Sequence, residues 1–97
     1  MTNKTLKIGE ASFIGTLLQT EHGSILLIQG KRANLGCGYF SLGPADKLGD
    51  RFAVVTGVKS FEDMLAAGVV AASKAAGECG VVPGMTGREA LLVMERE

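Results

Sequence analysis

At 97 residues, with ten basic and ten acidic side chains, the chain has the length of one small domain and no formal net charge. That balance excludes the basic stripe of a nucleic-acid-binding surface and an acidic interaction tail; Lys31-Arg32 is a doublet in a turn. One histidine, His22, and two cysteines without Cys-x-x-Cys spacing exclude a tetrahedral zinc centre from one protomer, so no metal is expected. No apolar run approaches the roughly 18–20 residues of a membrane span. The polar start Met1-Thr2-Asn3-Lys4 leads into no apolar signal region. The expectation is a cytoplasmic protein with Cys37 and Cys79 reduced, and with neither membrane nor nucleic acid as partner.

The first part of the chain reads as strands. Residues 5–20, rich in Ile, Leu, Phe and Thr, predict one long strand, kinked or interrupted near Gly9 or Gly15. Glu21-His22-Gly23 predicts a hairpin turn, with Gly23 able to take positive φ. Strands are expected at 24–29, 35–42 and 50–58, separated by turns at 30–34 and 43–49, the latter with room for a helical turn. The period then changes. Phe61, Met64, Leu65, Gly68, Val69, Ala72, Ala75, Ala76 and Cys79 recur at steps of three and four, which predicts a helix over 61–79 capped by Ser60 and ended by Gly80. Thr86-Gly87-Arg88-Glu89 fits a capping box before a final helix to about residue 95. Strands first and helices second predict a single α+β domain over 1–97, a mainly antiparallel sheet of four to five strands with two C-terminal helices on one face.

The strands are apolar on both faces. Leu26 and Ile28 alternate with Ile25 and Leu27, and Phe52, Val54 and Val58 alternate with Ala53 and Val55. A half-buried antiparallel strand alternates polar with apolar instead. Two helices cover one face, so the second face predicts a partner subunit, most simply another copy of the chain as a dimer or tetramer.

Three groups of residues can carry chemistry. Cys37, between Gly36 and Gly38, can act as a nucleophile with His22 or Asp50 as base and Tyr39 in support; the plainer reading is a small buried residue. Gly84, Thr86, Gly87 and Arg88 offer a helix N-terminus and a forked cation to a small anionic ligand, unless the capping box already satisfies those amides. Asp50 and Asp63 are more simply caps or salt-bridge partners, including of Arg88. Gly30-Lys31-Arg32 resembles the end of a phosphate-binding loop only superficially, and Gly36-x-Gly38 lacks the third glycine of a dinucleotide fingerprint, so no cofactor is expected.

Cys37-Gly38-Tyr39, Gly49-Asp50 leading into Val54-Val55-Thr56-Gly57-Val58, Phe61-Glu62-Asp63-Met64-Leu65, and Gly84-Met85 with Gly87-Arg88-Glu89-Ala90-Leu91 together resemble the YunC-like family of small bacterial and archaeal proteins. The resemblance spans roughly residues 14–94. It implies an α+β domain whose N-terminal strands mediate oligomerisation, and it implies no activity. Ser24-Ile25-Leu26 stands where the family more often has a Pro-containing stretch. The resulting expectation is an oligomeric small-anion or metabolite-binding module. The alternatives are a thiol-dependent enzyme using Cys37 and a structural homo-oligomer.

Overall fold

The structure, a computed structural model, describes residues 2–96. It is α+β, as the order of periodicities predicts. Ten short elements follow one another: β1 (Thr2–Ile8), β2 (Ala11–Gln19), β3 (Ser24–Gln29), β4 (Asn34–Gly36), α1 (Gly43–Leu48), β5 (Ala53–Val54), α2 (Phe61–Ala66), β6 (Ala71–Ala72), α3 (Lys74–Cys79) and α4 (Gly87–Glu95). The six strands lie in sheet order β1-β2-β3-β4-β5-β6. Every neighbouring pair is antiparallel except β4 and β5, which run parallel.

The predicted strand over 5–20 is two strands. Gly9-Glu10 closes a tight hairpin in which Ile8 pairs with Ala11, and Gly9 has φ +61°, a conformation that other residues adopt only at a cost. Gly15 marks no kink. It is a notch in β2, where a Cβ would stand 2.7 Å from the Phe61 ring. The next turn closes through Thr20 N–H to Gly23 O at 2.8 Å and Gly23 N–H to Thr20 Oγ1 at 2.8 Å. Gly23 is not at positive φ there, because the threonine hydroxyl shapes the turn instead.

The strands predicted at 35–42 and 50–58 shrink to Asn34–Gly36 and Ala53–Val54. After Cys37 the chain turns out of the sheet, with Phe40 N–H on Cys37 O at 3.1 Å. Phe40 and Phe52 then pack at a centroid distance of 5.5 Å over Gly36, where a Cβ would collide with both rings. Residues 37–52 thus form the crossover that a parallel strand pair needs.

The helix predicted over 61–79 is broken into α2, β6 and α3. Ala67 is already extended (φ −73°, ψ 150°). Val69 N–H donates to Met85 O at 2.7 Å and Val70 N–H to Val54 O at 2.9 Å, so tertiary pairing takes the bonds that a continuous helix would use. Buried Ser73 caps α3 by accepting from Ala76 N–H, accepts Phe52 N–H, and donates to Asp50 O. The three-four spacing arises because two short helices and the strand between them all send apolar residues to one core.

α4 forms as expected. Thr86 Oγ1 accepts Glu89 N–H at 3.1 Å and Glu89 Oε1 accepts Thr86 N–H at 3.2 Å. Its buried stripe, Gly87, Ala90, Leu91 and Met94, has helical spacing. It meets Phe61 and Met64 of α2 over Phe13, Leu26, Ile28 and Leu35 of the sheet. Gly87 sits at the tightest point: a Cβ there would collide with Met64 O and stand 2.8 Å from Leu35 Cδ2.

The outer face of the sheet is different. By register Thr5, Ile14, Thr16, Leu18, Ile25 and Leu27 form its uncharged centre, and Lys7, paired with Ser12 near the β1–β2 turn, lies on the same face. Ile14 is 54% exposed and Leu18 41%. Among the described residues no helix covers this part of the sheet.

Replacing Gly87 by Ala is expected to destabilise the protein by about 1–3 kcal/mol, because backbone rather than a flexible side chain must move. Urea unfolding of the variant measures it.

Candidate functional site

Parallel strands place the loops that follow them at the same end of a sheet. Here β4 is followed by Cys37-Gly38-Tyr39 and β5, after Val55, by Thr56-Gly57-Val58. The two loops converge beside Ser24, the first residue of β3. Ser24, Cys37, Gly38, Tyr39, Gly57 and Val58 line an open cleft of about 280 Å³. Ligands of open sheets commonly bind outside the carboxyl ends of parallel strands, where this cleft lies.

Cys37 is buried at the inner side of the cleft. Its N–H continues the ladder to Leu26 O at 3.1 Å, and its Sγ accepts Leu26 N–H at 3.3 Å. Tyr39 is 59% exposed, and its hydroxyl lies 3.4 Å from Thr20 Oγ1. The lining residues carry no charge, so the cleft offers a thiol, two hydroxyls and an apolar wall, without a cation to stabilise a thiolate.

Asp50 is not brought to Cys37. It is exposed at the amino end of β5, whereas Cys37 follows the carboxyl end of β4; Asp50 N–H donates to Ala45 O at 2.9 Å and its carbonyl accepts the Ser73 hydroxyl. His22 is exposed in the hairpin turn beside Glu21. Asp63 accepts Lys59 N–H at 3.0 Å. Arg88 is exposed and pairs with neither aspartate.

Gly84, Thr86, Gly87 and Arg88 do lie together at the start of α4, but most of the amides there are committed. Gly84 N–H donates to Val69 O at 2.9 Å, Gly87 N–H to Ala67 O at 2.9 Å, and Thr86 and Glu89 satisfy each other. Among the described residues no group of three or more His, Cys, Asp or Glu is placed to hold a metal ion. No helix among them is long and apolar enough to cross a membrane.

The most developed polar site is one that sequence reasoning misses. Glu95, in the last turn of α4, receives Lys31 N–H at 2.8 Å, Arg32 N–H at 2.8 Å and Ala33 N–H at 3.0 Å. Arg51 Nη1 donates to the carbonyls of Met94 and Arg96, at 2.7 Å each. Desolvation pushes the Glu95 carboxyl up, but the three N–H donors and the Arg32 charge together outweigh it and hold the group below the usual carboxylate range. The available signal is an acid at a helix C-terminus, where the helix dipole disfavours it and a partner must compensate.

Residues 36–94, more than half of the chain, match the family described as a domain of unknown function, DUF1805. The chain belongs to the DUF1805 family. Its fold is similar to that in the crystal structure of TA1206, a protein of unknown function from Thermoplasma acidophilum. The TM-score is 0.91 at 30% identity, over 96% of this chain and 91% of that one. Nothing matches among curated proteins. In this DUF1805 chain the family match begins at Gly36, so it takes in both loops of the cleft but not β1–β3.

Two outcomes are expected. Cys37 should react with iodoacetamide at neutral pH far more slowly in the folded protein than in urea, read by mass spectrometry of the labelled peptide. Rapid labelling of folded protein would contradict the buried, hydrogen-bonded thiol. For Glu95, a pKa lowered by folding contributes stability above its unfolded value, about 4.3, which is lost as pH falls through the folded value. The melting-temperature gap between wild type and Glu95→Gln should therefore be full near neutral pH and close on acidification.

Proposed function

We propose that this DUF1805 protein is a homo-oligomeric binding module for a small, largely uncharged molecule, seated in the cleft of Ser24, Cys37, Gly38, Tyr39, Gly57 and Val58. The observation that carries the reading is the convergence of two glycine-containing loops at the carboxyl ends of β4 and β5. A concave, mostly apolar wall with a few hydroxyls is the usual composition of such sites. Tyr39 supplies an exposed ring and hydroxyl for orientation, and Cys37 serves as a small apolar wall rather than a nucleophile. An anion held by Arg88 at Gly84–Gly87 is the weaker form of the proposal, since a ligand there must displace bonds the fold already uses. The thiol-enzyme reading lacks a base: none of the lining residues is one.

The assembly part rests on the outer face of β1–β3. Its six central side chains are uncharged and Lys7 stands toward the β1–β2 turn, so two copies can stack on the centre without like-charge conflict there. The resemblance to YunC-like proteins points the same way. Two free cysteines suit a cytoplasmic setting.

The test is nitrogen–proton correlation NMR of the protein against a library of neutral, hydroxyl-bearing aromatic and heterocyclic fragments. Binders should move the amides of Cys37–Tyr39 and Gly57–Val58 first, and Tyr39→Ala should weaken them about tenfold, the equivalent of one good contact. Binders that cluster elsewhere, or none at all, would refute the cleft.

A further inference from the structure

The turn between β3 and β4 has the anatomy of an anion site. Three successive N–H groups, of Lys31, Arg32 and Ala33, converge on one carboxylate at 2.8–3.0 Å. Such a concave run of backbone donors is a recurrent way to hold an oxyanion. The residue before them is Gly30, and a Cβ there would collide with the bound carboxyl group. The Gly-Lys-Arg turn, an imperfect phosphate loop by its spacing, thus holds an anion by its geometry.

The occupant comes from far along the chain. Glu95 is 62 residues beyond Ala33 and sits in the last turn of α4. An acid at that position opposes the helix dipole, so the turn is compensating an otherwise unfavourable placement. Gly30, Lys31 and Arg32 also line an open polar cavity of about 480 Å³, whose other walls are Gln29, Asn34, Gly49, Asp50 and Arg51. Two of the three donor residues, Lys31 and Arg32, therefore border a space far larger than one carboxylate, walled by three basic residues and one acid, Asp50.

We propose that the 30–33 turn is an oxyanion-binding site plugged in cis by Glu95, and that withdrawal of Glu95 opens it to a compact carboxylate or phosphate. No covalent chemistry is involved; one anion exchanges for another on the same three N–H groups. Lys31, Arg32 and Arg51 outnumber Asp50 around the cavity and give the incoming anion a favourable field, and Gly30 gives it room. The site is separate from the proposed ligand cleft, at the opposite end of β4.

The test uses Glu95→Ala, with its fold checked by circular dichroism. Sodium phosphate and sodium acetate are titrated separately while the amides of Lys31, Arg32 and Ala33 are followed by NMR. The expected result is saturable movement of those three amides and a rise in melting temperature in the variant, with no such movement in wild type. Response to acetate assigns a carboxylate ligand, and response to phosphate a phosphoryl one. A folded variant whose three amides respond to neither anion, or respond equally to sodium chloride at matched ionic strength, overturns the proposal. Should Glu95→Ala not fold, Glu95→Gln replaces it. There the same amides should again move saturably where those of wild type do not, and equal behaviour of the two proteins overturns the proposal.

Discussion

A six-stranded sheet that is apolar on both sides, in a chain with helix enough to cover one of them, is the constraint from which the rest follows. The inner face is filled by Phe13, Leu26, Ile28 and Leu35 and roofed by α2 and α4. Each such side chain contributes about 1.5–3 kcal/mol on burial, so the roof is where the fold gains its stability. The outer face keeps Ile14 and Leu18 in water. In a domain of this size little surface is to spare, and an uncovered apolar face reads as a seat for something else.

The roof is held at both ends by polar contacts. At its start α4 is capped by Thr86 and Glu89, and Gly87 lets it lie against the backbone of α2. At its finish Glu95 and Arg51 tie it to the 30–33 turn. The second set connects elements distant in sequence. It also gives the C-terminal helix a pH-sensitive fastening, because three of its bonds are stronger with the carboxylate ionised.

Patterns that depend on local chemistry are legible in the sequence. The Ser60 and Thr86 caps, the Gly80 terminator, β3 and the final helix all follow from neighbouring residues, as does the two-faced character of the strands. What the sequence hides is decided by distant partners. Val69 and Val70 leave the helical pattern because Met85 and Val54 accept their amide protons, and nothing near them in sequence supplies that information. Val69-Val70 and the capping Ser73 are the available hints of the break. At the site, Cys37 and Tyr39 do share a cleft, while Asp50 stands at the other end of the strand pair, a separation set by the parallel register of β4 and β5. The Glu95 site is invisible for the same reason: its donors and its acceptor are 62 to 64 residues apart.

The most direct test of the uncovered-face account is sedimentation velocity at micromolar concentration, comparing wild type with Leu18→Lys. The account predicts a wild-type dimer or tetramer and a folded, monomeric variant, since the substituted ammonium group would place a charge in the middle of a neutral contact. A wild type that sediments as a monomer, or a variant that assembles as wild type does, would show that the outer face of the sheet is not where copies of this chain meet.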